Sequence, residues 1–107
     1  MSERKIIDRS FAISRKRGNG VIRYEVWEQA GVVTRYNLAY INHMIYSKDN
    51  GRVVGYDNKH GHHRHYKGAI EPIEFKSFED VEKRFEKDWI AVLEEYNAQC
   101  NRNNRRR

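Results

Sequence analysis

Four imidazoles fall within six residues of this chain, at His60, His62, His63 and His65, with Lys59, Arg64 and Lys67 set among them. Protonating one imidazole of such a cluster disfavours protonating the next. Together with the neighbouring cations, the segment therefore needs an anion or a metal close by, or it stays mostly neutral. Three chemistries are open. His-x-His-His-x-His supplies metal ligands, and His63 and His65 point to one side if they lie on a strand. Against this, compact zinc signatures use Cys/His pairs at wider separations, and interleaved Arg and Lys repel a dication. The second chemistry is cleavage of RNA by its own 2′-hydroxyl. It needs a base for that proton, an acid for the 5′-oxygen and cations for the pentavalent phosphorane. Histidines titrating near pH ~6.5 beside Arg supply those parts with no metal and no cofactor. The third is an ordinary solvated loop.

In the catalytic reading His60, His63, Arg64, His65 and Asp57 form the reacting group. His63 and His65 are acid and base, Arg64 neutralises the phosphorane, and Asp57 or Asn58 orients an imidazole. Lys59 and the cationic run Arg15-Lys16-Arg17 hold phosphates, with Asn58 and Lys67 beside them. Tyr56 and Tyr66 bracket the segment and are the candidates for stacking on bases. The same patch could instead grip nucleic acid or a partner protein without breaking a bond. His43 stands apart and reads as structural.

The composition narrows the field. The chain has 107 residues, with 21 Lys plus Arg against 15 Asp plus Glu and a net charge of +6. That balance makes RNA or another polyanion a plausible partner. Residues 77–98 are net acidic, and the segments on either side are net basic. Cys100 is the only cysteine, so no disulfide framework exists. No apolar run is long enough to cross a bilayer, and the charged N-terminus has no secretion-signal core. A cytoplasmic protein with no membrane contact is expected, and homodimerisation is compatible with the sequence.

The elements that must position these side chains show in the periodicity. Ile6–Ser14 is β-rich, with Ile7, Phe11 and Ile13 on one side. Val21–Glu28 alternates, with Ile22, Tyr24 and Val26 opposite Arg23 and Glu25. Val32–Ile41 alternates again, with Tyr36, Leu38 and Tyr40 opposite Arg35 and Asn37. Such alternation belongs to a sheet with one buried face. The tyrosines on that parity are core residues rather than stacking platforms. Lys48-Asp49-Asn50-Gly51 predicts a hairpin between His43–Ser47 and Arg52–Tyr56, because Asn-Gly accepts positive φ at both turn positions. That hairpin sets Asp49 against Arg52, Ser47 against Val54 and Ile45 against Tyr56. Ser77 caps a helix whose stripe is Phe78, Val81, Phe85, Trp89, Val92, Leu93 and Tyr96. The expected fold is α+β: a single antiparallel sheet of about four or five strands with one long C-terminal helix packed on one face. Residues 1–98 form the domain, and 99–107 read as a basic, disordered tail.

Several segments together resemble a known family. Arg35-Tyr36-Asn37-Leu38-Ala39-Tyr40, Arg52-Val53-Val54-Gly55-Tyr56-Asp57-Asn58, His60-Gly61-His62-His63-Arg64-His65 and Phe75-Lys76-Ser77-Phe78 are similar to TumE-type toxins of prokaryotic toxin–antitoxin modules. The likeness spans about residues 20–95. Its most specific part is Gly-Tyr-Asp-Asn-x-x-Gly followed by His-Arg-His. The resemblance implies a cognate antitoxin with a helix-turn-helix domain and growth inhibition when that partner is absent. It does not fix the reaction, and it assigns no role to His62 or to the Arg-rich tail.

Overall fold

The computed structural model describes residues 2–105. Six strands form one antiparallel meander in the order β1-β2-β3-β4-β5-β6. They are β1 Arg4–Ala12, β2 Val21–Gln29, β3 Val32–Ile41, β4 Arg52–Asp57, β5 His63–Tyr66 and β6 Ala69–Pro72. The helix α1, Phe78–Arg105, follows the last strand. The expected class holds, with the sheet larger than the sequence suggests.

The core lies between one face of the sheet and α1. Ile22 and Val26 from β2, Tyr36, Leu38 and Tyr40 from β3, and Val54 and Tyr56 from β4 pack against Val81, Phe85 and Val92. These are the residues on the apolar parity of each strand and on the helix stripe. Removing them from water is the main drive for the helix to lie on this face. The Ser77 hydroxyl accepts the Asp80 N–H at 3.1 Å, so the cap forms where its residue type suggests. The helix continues past residue 98, where the sequence places the start of the tail, to Arg105.

The hairpin reading needs correction. Residues 43–45 form a turn and 46–47 are irregular, so no strand forms there. The strand beside β4 is β3, with Tyr40 across from Val54 and Leu38 across from Tyr56. Asn42 diverts the chain. Its N–H donates to Gly51 O at 2.8 Å, and its carbonyl accepts from Ile45 and Tyr46. Its side-chain amide, 1% exposed, donates to the Gly18 carbonyl at 3.0 Å. Asn50 and Gly51 do take the positive φ expected of them, 52° and 80°. They do so within a 3₁₀ turn that closes a longer β3–β4 connection.

The histidine segment contributes structure that periodicity misses. A tight turn at Lys67 and Gly68, with φ 47° and 88°, pairs β5 with β6. Positive φ at both positions is the twist a two-residue hairpin loop needs.

Candidate active site on the open face of the sheet

Because α1 covers one face, the opposite parity of every strand is left for other work. On that face Asp57 of β4 lies between Asn37 of β3 and His63 of β5, and Gly55 lies between Ala39 and His65. Side chains at i and i+2 share a face of a strand. His63 and His65 therefore stand together next to Asp57.

His65 is the buried imidazole, 9% exposed. Its Nε2 lies 3.0 Å from Asp57 Oδ2. A carboxylate there accepts the Nε2 proton and leaves Nδ1 as the basic nitrogen. Arg52 Nη1 stands 3.5 Å from the same Asp57 oxygen. Arg52 Nε also donates to Asp49 Oδ2 at 3.0 Å.

Arg52 reaches this face through a bulge. Val54 pairs with Tyr40 and Arg52 with Ile41, so Val53 is an extra residue on β4. Regular alternation would give Arg52 the parity of Val54 and Tyr56, beneath the helix. The inserted residue re-aims it. Gly55 then gives it somewhere to lie: a Cβ at Gly55 would stand 2.8 Å from Arg52 Cδ. Arg52, Asp57, Lys59, His60, His63, His65 and Ile70 line one hollow of ≈ 450 Å³. Lys59, His60 and His63 form no ion pair with a carboxylate among the described residues.

The structure separates other residues from this group. Arg64 belongs to the opposite parity and faces α1. Its Nε donates to Asp88 Oδ2 at 2.8 Å, its Nη1 to Glu71 at 2.8 Å, and its guanidinium lies over the Tyr66 ring. Asp88, first, and then Glu71 hold its charge firmly in place. The guanidinium beside the histidines is that of Arg52, not Arg64. Tyr56 is 2% exposed and donates to Asp88 Oδ2 at 2.7 Å, so its ring is core and cannot stack on a base. Burial, and then Asp88, raise its phenol pKa. Asn58 is spent on scaffolding: its Oδ1 accepts the Tyr36 N–H at 3.0 Å and its Nδ2 donates to Thr34 O at 2.9 Å. The Lys59 backbone N–H donates to Asp57 Oδ1 at 3.1 Å.

Lys67 sits in the β5–β6 turn with Glu95 3.8 Å away, and Tyr66 lies between it and Arg64. Arg15, Lys16 and Arg17 form a 3₁₀ turn after β1, where Asn97 of α1 donates to Arg17 O at 3.0 Å. In this meander that turn lies at the end of the sheet opposite the β4–β5 loop. His62 completes the core edge, with Nδ1 2.8 Å from Tyr36 Oη and its ring stacked on Phe75 at 4.1 Å. Of the histidine cluster, then, His60, His63 and His65 share the hollow with Asp57 and Lys59.

Further along the open face, β1 and β2 carry a self-compensating set. Lys5 bonds Glu25 at 2.7 Å and Asp8 at 2.9 Å, and Arg23 reaches both carboxylates. The Lys5 hydrogen bond holds Glu25 below the usual carboxylate range. The uncompensated positive charge of this face therefore lies at the histidine end. Sequence reasoning missed Arg52 as a site residue, because the bulge that re-aims it shows only in the register of β4 against β3. Among the described residues, no three His, Cys, Asp or Glu are placed to hold a metal ion. No described helix is long and apolar enough to cross a membrane. A larger groove of ≈ 620 Å³ runs between β1 and α1, but its lining is mainly apolar and includes no imidazole.

Comparison with known proteins adds one finding. The family model described as Toxin TumE matches residues 8–97. No curated protein and no solved structure matches the chain.

Proposed function

We propose, on the premise that the chain belongs to the TumE toxin family and is thus the toxin component of a toxin–antitoxin module, that it is a metal-independent endoribonuclease. One observation carries the reading: His63, His65, Asp57, Arg52 and Lys59 line a single hollow. Those groups are what cleavage through the 2′-hydroxyl requires. His65 takes the 2′-hydroxyl proton on Nδ1 while Asp57 accepts from Nε2–H and stabilises the imidazolium that forms. The 2′-oxygen bonds to phosphorus. The P–O5′ bond breaks, and His63 protonates the departing 5′-oxygen. Arg52 and Lys59 offset the charge that builds on the non-bridging oxygens. The products are a 2′,3′-cyclic phosphate and a 5′-hydroxyl, so atoms and protons balance without an added reactant. The family implies a cognate antitoxin; in this reading that partner carries a helix-turn-helix domain and silences the hollow.

The test is purified protein with single-stranded RNA in EDTA. The parent cleaves, and the fragments end in cyclic phosphate. His63→Ala and His65→Ala each lower kcat/KM by about 10²-fold or more, the scale of a lost general acid or base. No cleavage by the parent, or a double variant as active and as toxic as the parent, overturns the assignment. RNA that is bound in a salt-dependent manner but stays intact would mark a binding module instead.

A further inference from the structure

A second, smaller recess adjoins the histidine hollow. It holds ≈ 230 Å³ and is lined by Trp27, Arg35, Tyr36, Asn37, Arg52, Asp57 and Lys59. Arg52, Asp57 and Lys59 belong to both recesses, so they form one continuous trough. Its far end is built from a cross-strand pair, Trp27 of β2 opposite Arg35 of β3. The Arg35 guanidinium lies over the indole, 4.0 Å from the ring centroid, and Lys5 Nζ stands 5.0 Å away. Arg35 also bonds Glu3 at 3.1 Å, with half of its side chain exposed.

This chemistry fits a nucleobase beside a phosphate. A large aromatic side chain on an otherwise polar open face has no core to join, because α1 packs on the other side. A guanidinium plane on an indole offers a flat, cationic platform, and single-stranded nucleic acids use such surfaces for stacking with little dependence on base identity. Across the sheet Arg35 on β3 lies two strand spacings and Trp27 on β2 three strand spacings from the histidines of β5, about 10 Å and about 14 Å. Lys59 and Arg52, between the two ends, stand where the connecting sugar–phosphate would pass. We propose that Trp27 and Arg35 form a stacking subsite for a nucleotide further along the strand from the scissile phosphate, so that the trough binds single-stranded nucleic acid along β5-β4-β3-β2. The proposal rests on the nucleic-acid reading of the hollow and extends it to a second contact.

The two tryptophans make the experiment direct, because Trp89 packs on Tyr40 at the edge of the core, under the helix, and Trp27 lies on the open face. In a Trp89→Phe chain, Trp27 is the sole indole reporter. Titration with a single-stranded oligodeoxynucleotide, which lacks the 2′-hydroxyl and cannot be cut by this chemistry, quenches its emission saturably. An abasic oligonucleotide of the same length does not. With the Kd read from the anisotropy of a dye-labelled strand, because these variants lack the reporting indole, Trp27→Ala raises it about tenfold, and Trp27→Phe restores most of the affinity, which excludes simple misfolding. An unchanged Kd in a folded Trp27→Ala chain, or equal quenching by the abasic strand, overturns the subsite. Cleavage of RNA by the parent is scored separately. Quenching without cleavage keeps the subsite and removes the nuclease, whereas cleavage with no effect of Trp27→Ala on Kd or KM removes only the subsite.

Discussion

Gly55→Ala is the sharpest probe of the hollow, because it replaces none of the proposed reacting groups. Gly55 lies opposite His65 on one side and Ala39 on the other. A methyl there would stand 2.8 Å from Arg52 Cδ and 3.4 Å from the Leu38 carbonyl oxygen. The first distance cannot persist, and the second is tolerable. The Arg52 stem is the flexible partner, so it swings away and carries the guanidinium off Asp57, which it approaches at 3.5 Å. The fold is nearly indifferent. Reduced freedom of the unfolded chain contributes about 0.4–1 kcal/mol. A weakened, partly exposed pair of Arg52 with Asp49 costs about 0–1 kcal/mol. Net stability therefore changes by less than about 1 kcal/mol, a few degrees in Tm.

Catalysis is not indifferent. Removing a preorganised charge donor costs about 10²–10³ in kcat, and displacing one costs a part of that. About tenfold to a hundredfold is expected in RNA cleavage. The assay is a double-mutant cycle with Arg52→Ala. If the methyl acts only by evicting Arg52, Gly55→Ala has no further effect in the Arg52→Ala background. Full activity in Gly55→Ala alongside a crippled Arg52→Ala refutes the steric argument. Additive losses refute it too, since they would place the methyl's effect elsewhere.

Arg64→Ala leaves cleavage within about threefold of the parent but loses about 1–2 kcal/mol by thermal melting, because Asp88 is left with Tyr56 alone; a catalytic collapse with an unchanged Tm contradicts the placement of Arg64. Burial pushes the phenols of Tyr24 and Tyr36 from 10.0 up to about 12. Unfolded tyrosines lose their proton first, so this stability is present below pH ~10 and is lost as pH rises toward 12. Absorbance titration is expected to show these tyrosinates appearing together with loss of near-ultraviolet dichroism, and early, independent titration is the contrary result. Burial, and then Glu79 and Glu86, raise the Glu82 carboxyl pKa. Its ionised form therefore opposes folding as pH climbs above 4.5, so Glu82→Gln raises Tm at neutral pH and has little effect in acid; the reverse order contradicts the assignment.

How much of this was legible in the sequence depends on whether a residue obeyed the period of its strand. Ile22, Val26, Tyr36, Leu38 and Tyr40 do, and so do Val81, Phe85 and Val92 on the helix. Each is buried where its spacing places it. His63 and His65 share a face for the same reason, and that reason also excludes Arg64, which lies between them and faces the helix. Tyr56 is read correctly by strand parity and wrongly by its nearness to the histidines. Arg52 is illegible by any periodic rule. The extra Val53 breaks the alternation of β4, and nothing local announces a bulge until β3 supplies the register. Asn42 is hidden similarly: its side chain is spent on carbonyls far away in the chain, at Gly18 and Asn19. The residues that escaped are those whose conformation is set by a partner strand rather than by neighbours in sequence. A chemical group built at a break in the ladder is therefore harder to foresee than the sheet that carries it. A bulge also costs a ladder hydrogen bond, and a glycine in mid-strand weakens packing. Two such costs side by side, at Val53 and Gly55, are explained if their joint effect is to lay a guanidinium beside Asp57. Restoring the alternation by inserting one alanine between Tyr40 and Ile41, opposite Val53, should then return Arg52 to the helix face and abolish cleavage, while β3 and β4 still pair. Retained cleavage in a folded insertion variant would break the link between the bulge and the hollow.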